Sequence, residues 1–348
     1  MLAELKSAAF LVSRQAGLTR WIANSRWRRT RLLVLCYHGV SLVDEHEWNP
    51  ELYISRATLA RRFALLQRAG CSILSLDEAV RCLYAGRLPD RAVTITFDDG
   101  YCDFTAGALP LLTAYGWPAT VYVTTHQCDR RRPVVHLLAS YALWKHRHQT
   151  LDARGIAGLD RIYPLASSAA RQRAVADMQA RMSSDGMNPD DERLFARQVL
   201  ERLGIEDGDL STIPVLCLMT AADLADVARR GIAIELHTHR HRVAADGDDL
   251  MEEIRVNRAT VRAATGCTPR HFCYPNGTYR ASHLPALERE GIESATTCDP
   301  DLASPASHRL LLPRLVDNEM GTDLRFEAWV TGLATWLPRR TRKADVVD

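Results

Sequence analysis

No two cysteines in this 348-residue chain are spaced as CxxC, and the nine present (36, 71, 82, 102, 128, 217, 267, 273 and 298) are scattered and odd in number. That argues against a disulfide framework or a thiolate zinc knot and predicts reduced thiols in a cytosolic protein. An excess of one charge is also missing. Lys and Arg total 44 against 42 Asp and Glu, a net of +2, so nothing points to nucleic acid as the main partner. Long apolar runs are absent from the N-terminus, where the longest, AAFLV, is too short for a signal-peptide core or a membrane span. No internal repeat or low-complexity tract stands out. Apolar residues, at 47%, are plentiful, and charged residues stand at 25%, the balance of a globular protein with a large core.

Residues 1–31 read as a basic amphipathic helix. Lys6, Arg14, Arg20, Arg26, Arg28, Arg29 and Arg31 face a lone Glu4, and Leu11, Leu18, Trp21 and Ile22 fall near one helical face. Such a helix can lie on an anionic membrane surface, here the inner face of the membrane, or pack on its own domain.

From residue 32 onward, short β-rich runs alternate with helical patterns. LLVLCYH (32–38), AVTITF, ATVYVTT (119–125), GIAIEL (231–236), RHFCYP (270–275) and ESATTC (293–298) read as strands. The stretches 57–70 and 249–266 read as helices between them. This is the rhythm of βαβ units and a parallel sheet. It breaks between about 130 and 215, where helical patterns occur without a good strand, so that stretch reads as a helical insertion. Residues 323–348 read as a C-terminal helix followed by a basic, loose tail.

Three motifs each follow an expected strand: FDDG with Asp98 and Asp99, HTHRH (237–241), and YPNG (274–277). Active sites of parallel barrels and open α/β sheets collect at the carboxyl ends of strands, so three distant segments would meet on one rim. Imidazole nitrogens with a carboxylate oxygen suit a divalent metal and leave room for water and substrate. His237 could converge with His241 from one turn, or share a strand face with His239. Adjacent aspartates point in different directions, so one can bind a metal while the other acts as a base.

TFDDG, HTHRH as an H-[ST]-x-x-H pattern, FCYPNG and LCYHGV (35–40) resemble the motifs of the polysaccharide deacetylase family, the NodB-homology domain of carbohydrate esterase family four. The resemblance covers about residues 32–129 and 216–317. It implies an α/β fold, a distorted (β/α) barrel over 32–322 carrying the helical insertion. It also implies a hydrolase that removes N-acetyl groups from an amino sugar in a polysaccharide, oligosaccharide or lipid-linked glycan, as in exopolysaccharide biosynthesis. The implied cofactor is a divalent metal, zinc first among candidates, held by Asp99, His237 and His241. Asp98 would be the general base, and a backbone N–H near Asn276, with Tyr274 beside it, would receive the oxyanion. The site residues leave open hydrolysis of another non-peptide C–N bond, or a barrel that binds glycans without catalysis.

The chain departs from the family where many members place an arginine two positions before the proline of YPNG; here that residue is Cys273. Arg314 in LLLPRLVD follows a short apolar run and is the expected substitute that braces Asp98. No clean Leu-x-His motif follows residue 300. His308 is the one histidine there, and His38 of YHGV should face the rim; both are candidates for the general acid.

Overall fold

A computed structural model of the chain describes residues 10–13, 17–129, 133–156, 158–184, 186–205, 216–243 and 247–336. Two compact units divide it: Met1–Arg130 with Met219–Asp348, and Arg131–Leu218.

Among the described residues the main sheet of the first unit has eight strands: β1 (Leu33–Tyr37), β2 (Ser72–Ile73), β3 (Ala92–Phe97), β4 (Thr120–Val123), β5 (Ala233–Leu236), β6 (His271–Cys273), β7 (Ser294–Thr296) and β8 (Leu315–Val316); Gly39–Ser41 and Tyr53–Ser55 form a separate parallel pair. Their order across the sheet is β7-β6-β5-β4-β3-β1-β8, with β2 paired to the start of β3. Every pairing is parallel. All six residues of β3 and all five of β1 are buried. Burial on both faces is why these strands read as unbroken apolar runs. Leu312, just ahead of β8, forms a parallel bridge to Thr296 of β7, and its N–H donates to the Ala295 carbonyl at 2.8 Å. The last stretch of sheet thus touches both β1 and β7, and the sheet curls back on itself as the (β/α) barrel expected from the motifs.

Helices cover the outside and start where the sequence supplies caps. Ser55 and Ser75 accept N–H groups at the heads of Arg56–Arg68 and Leu76–Tyr84. Thr220 and Asp223 form a reciprocal capping box on Ala221–Arg229, which satisfies donors that would otherwise be orphaned.

Between Leu18 and Arg29 the expected single N-terminal helix is two short ones, Leu18–Ala23 and Arg26–Arg29. Gly17, at φ +73°, precedes the first, and the Ser25 side chain caps the second. Ile22 turns inward while Leu11, Leu18 and Trp21 stay exposed, so these four do not share one face. The tail after Trp336 lies outside the described residues. The second unit holds helices Val135–Lys145, Ser168–Ser184 and Pro189–Glu201. It also holds an antiparallel pair, Thr150–Asp152 with Ile162–Pro164, so the strand-free reading of this region is corrected. Three-residue strands are too short to show a period.

Glu235 on β5 ties neighbouring strands. Its Oε2 accepts the N–H groups of Arg270 and His271, both at 2.7 Å. Burial nonetheless pushes its carboxyl up to about 8 from an ordinary 4.5. The folded state therefore holds a proton that the unfolded chain releases near 4.5, and stability should fall as pH rises from there to 8. Burial takes His271 the other way, to about 4, but that group affects stability only below its ordinary value of 6.5. Between pH 6.5 and 8 the wild type should thus lose about 1–2 kcal/mol through Glu235. Glu235→Gln should flatten that part of the profile in thermal melts; an unchanged slope would show that Glu235 is ionised when folded.

Candidate active site

Asp98 follows β3 directly, and the strand's alternation turns it into the barrel. It is 2% exposed. Arg314, fully buried, meets it with both guanidinium nitrogens: Nη1 donates to Oδ1 at 2.8 Å and Nη2 to Oδ2 at 2.7 Å. The guanidinium is fixed in turn. Nε donates to the Thr297 carbonyl at 2.9 Å, Nη1 reaches Thr96 Oγ1 at 3.3 Å, and Nη2 lies 3.0 Å from Cys273 Sγ. Burial pushes the Asp98 carboxyl upward, but Arg314 overrides it and holds the group far below the usual carboxylate range. The thiols of Cys36 and Cys273 both lie 3.4 Å from Asp98 Oδ2. His38 Nε2 approaches the same oxygen at 3.9 Å.

Asp99 points elsewhere because the backbone turns sharply. Its φ is +70° and that of Gly100 +81°. A Cβ on Gly100 would stand 2.9 Å from Val123 Cγ1, so the turn needs glycine there. Asp99 Oδ1 then lies 3.2 Å from His237 Nε2 and 3.2 Å from His241 Nε2.

The HTHRH loop is also bent out of ordinary conformations. Thr238 has φ +62° and His241 φ +56°. A β-branched residue at positive φ is strained; burial of Thr238 and the Arg242 N–H donating to its Oγ1 at 3.1 Å hold it. His237 Nδ1 lies 2.8 Å from the Cys273 carbonyl. A carbonyl only accepts, so Nδ1 carries a proton; the neutral ring, the form a cation would bind, then presents its Nε2 lone pair toward Asp99. His239 is turned away, its Nδ1 2.9 Å from Thr125 Oγ1.

Asp99 Oδ1 is buried and receives no aligned hydrogen bond, although two imidazole nitrogens stand close by. The donor atoms of Asp99, His237 and His241 all lie within 4.8 Å of one another. Ligand atoms about 2.0–2.1 Å from a tetrahedral zinc stand roughly 3.3 Å apart. Three convergent donors, one an orphaned carboxylate oxygen, fit a divalent cation.

The structure brings together Asp98, Arg314, Cys273 and His38 on one side, and Asp99, His237 and His241 on the other. It does not bring His308 or Tyr274 in. His308 is exposed, and the neighbouring Arg309 carbonyl accepts the Ala295 N–H at 2.9 Å. The preceding loop runs back so that Ala303 bridges Leu32, just before β1. His308 therefore sits at the amino end of the barrel, away from Asp98, and cannot serve as the acid. Tyr274 is corrected as well. It is buried in an outer cluster with Leu236, Phe272 and Leu287, because Cys273 takes the inward position and its neighbour must face out. Asn276 adopts φ +56° in the exposed turn after β6, a conformation asparagine tolerates.

Sequence reading missed Asn257. It sits in the helix Gly247–Thr265, fully buried. Its Oδ1 accepts the His237 N–H at 3.0 Å, while Nδ2 donates to the Val123 carbonyl and to Thr125 Oγ1, both at 3.0 Å. One amide thus ties the histidine loop to β4. A polar residue on the apolar face of an amphipathic helix was the available signal. Asn257→Ala should weaken metal retention by about 10–100-fold and leave the Asp98–Arg314 pair alone, as chelator competition would show. Retention at the wild-type level would mean the loop is held by other contacts.

A family model described as polysaccharide deacetylase matches residues 85–157 and 211–295. The poly-beta-1,6-N-acetyl-D-glucosamine N-deacetylase of Escherichia coli K12 is 30% identical over 99 residues, which is 28% of this chain and 14% of that protein. The chain thus aligns with about one seventh of that relative's length. In fold it is similar to the Streptococcus pyogenes deacetylase PplD in complex with acetate, with TM-score 0.57, 17% identity, and 86% of this chain and 98% of the other covered. It is also similar to IcaB from Ammonifex degensii, with TM-score 0.56, 17% identity, and coverage of 86% and 97%. The two matched blocks carry the TFDDG strand end and the HTHRH loop that the barrel brings face to face, and over them the chain is similar to the polysaccharide deacetylase family.

Proposed function

We propose that this chain is a metal-dependent hydrolase that removes N-acetyl groups from amino sugars of a glycan. The observation that carries the reading is the division of labour between adjacent carboxylates. Asp98 is held by Arg314 at 2.7–2.8 Å, and Asp99 stands 3.2 Å from two imidazole nitrogens. Binding a glycan would need neither arrangement.

Asp99, His237 and His241 would hold the cation, with zinc the first candidate for its nitrogen and oxygen donors. When bound, it would supply Lewis acidity and bring the pKa of water down to about 7. Asp98 would accept the proton as that water attacks the acetamide carbon. Arg314 keeps Asp98 ionised and aims both its oxygens. The turn at Asn276 would offer a backbone N–H to the developing oxyanion. His38, whose Nε2 lies 3.9 Å from Asp98 Oδ2, would protonate the leaving amine. We place the chain in a reducing compartment, the cytoplasm, since Cys36 and Cys273 flank one Asp98 oxygen as free thiols.

The name of the Escherichia coli relative gives its substrate as poly-β-1,6-N-acetyl-D-glucosamine, and we propose a polymer of N-acetylglucosamine as this chain's substrate class. Acetate release from such a polymer should be measurable with the zinc-loaded protein. It should stop on chelation and fall by about 10²–10⁴ in Asp98→Asn. Full acetate release from metal-free protein would refute the reading.

A further inference from the structure

The N-terminal segment leaves apolar side chains in solvent. Trp21 is 69% exposed, Val12 64%, Leu11 48% and Leu18 40%. Arg20, Arg26 and Arg29 are exposed among them, and residues 10–31 contain no Asp or Glu. Gly17, Arg20, Trp21, Asn24, Ser25 and Arg26 line a shallow concavity. Among the described residues neither Arg20 nor Arg26 forms a salt bridge. The acidic groups nearby include Asp90, which Arg29 engages at 3.2 Å, Asp301, which lines a cavity with Trp27 and Arg31, and Glu327, which lines another with Phe10 and Thr19.

This face lies at the amino end of the barrel. Arg91, the residue before β3, donates to Asn24 Oδ1, and Arg28 donates to the Ala92 carbonyl at 3.4 Å. Asp98 ends the same strand. Six residues at about 3.3 Å each put the catalytic rim roughly 20 Å from this end.

We propose that the amino end of the barrel is a docking surface for an anionic lipid bilayer, with Trp21 and Leu18 entering the interface and Arg20 and Arg26 meeting lipid phosphates. Charge complementarity selects this occupant. Arginines interleaved with an exposed tryptophan and leucines match the headgroup level of a membrane, where apolar bodies and cations are satisfied together. A duplex nucleic acid would use the cations and leave the apolar groups wet. No helix among the described residues is long and apolar enough to cross a membrane, so the contact is peripheral. Docked this way, the rim opens away from the lipid, and a glycan must reach it from the solvent side. That consequence rests on the deacetylase reading; the docking does not.

The test is flotation of the full chain with phosphatidylcholine vesicles, with and without phosphatidylglycerol, at low and high salt. The chain should float with phosphatidylglycerol at low salt and much less at high salt or with phosphatidylcholine alone. Each arginine near an anionic surface contributes roughly five-fold in affinity. Arg20→Glu/Arg26→Glu should therefore lose at least about ten-fold, and Trp21→Ser should weaken binding to both kinds of vesicle. All three residues are exposed, so circular dichroism should show unchanged folding, and acetate release should match wild type. Equal flotation of wild type and variants would overturn the proposal. So would a wild-type dimer in sedimentation that Trp21→Ser dissolves, since the face would then meet a second copy.

Discussion

Arg314→Ala should lower turnover by about 10²–10⁴, the range that a positioned acid–base group contributes, while one divalent ion per chain still binds. The split follows from the geometry. Arg314 touches Asp98 through two nitrogens and is not among the Asp99, His237 and His241 donors. Without the guanidinium, Asp98 is a carboxylate 2% exposed and flanked by two thiols. Burial, the largest influence on it, is then opposed only by the weaker pull of His237 and His38, and its pKa rises. Activity that needs the ionised form should survive only at higher pH, so the acid limb of the rate profile should move upward. Removing one partner of a buried pair also costs about 3–5 kcal/mol, visible as a lower melting temperature. Since instability alone could reduce activity, Cys273→Arg in the Arg314→Ala background is the informative companion. Position 273 is where many family members carry this arginine, and Cys273 Sγ lies 3.0 Å from Arg314 Nη2. The relocated guanidinium should recover part of the turnover. Arg314→Lys should recover less, because one ammonium cannot grip both oxygens. Normal turnover in a folded Arg314→Ala protein would end the claim that Arg314 braces the base.

Asp99→Ala and His237→Ala should each reduce metal affinity by roughly a hundred-fold or more and abolish acetate release. Each removes one of three donors, and the loss exceeds the 10–100-fold typical of a supporting residue. Chelator competition on the purified protein reads the metal independently of any substrate. His239→Ala is the control within the same motif. Its Nδ1 faces Thr125 at 2.9 Å, so metal content should hold. If His239→Ala lost the ion and His241→Ala kept it, the ligand set would be misassigned. Asp98→Asn should keep the ion and lose turnover, separating the two carboxylates by their two readouts.

The limits of sequence reading differ from element to element. The strand order of motifs was legible because parallel strands buried on both faces carry near-continuous apolar runs, whereas LLLP is no strand: only Leu312 bridges β7, and Arg314 precedes β8 instead of following a strand. The hairpin of Thr150–Asp152 and Ile162–Pro164 was not legible, since two strands of three residues show no alternation. The N-terminal segment shows pattern without path: spacing suggested one helical face, but Gly17 and Ser25 reset the chain direction around six residues, and Ile22 went to the core.

The sequence by itself determined the barrel, the family resemblance and the two pairs of chemistry-bearing residue types, because strand-end motifs are local and each needs its neighbours in order. Only the tertiary structure decided which atoms meet. Alternation on β6 turned Cys273 inward and Tyr274 outward, and the returning loop carried His308 to the far end of the barrel. Curling of the sheet delivered Arg314 to Asp98 across 216 positions, and a helix brought Asn257 under His237. Contacts at such separations depend on register, chain reversal and closure, which are set by the packing of the whole core and leave no periodic trace in any one segment.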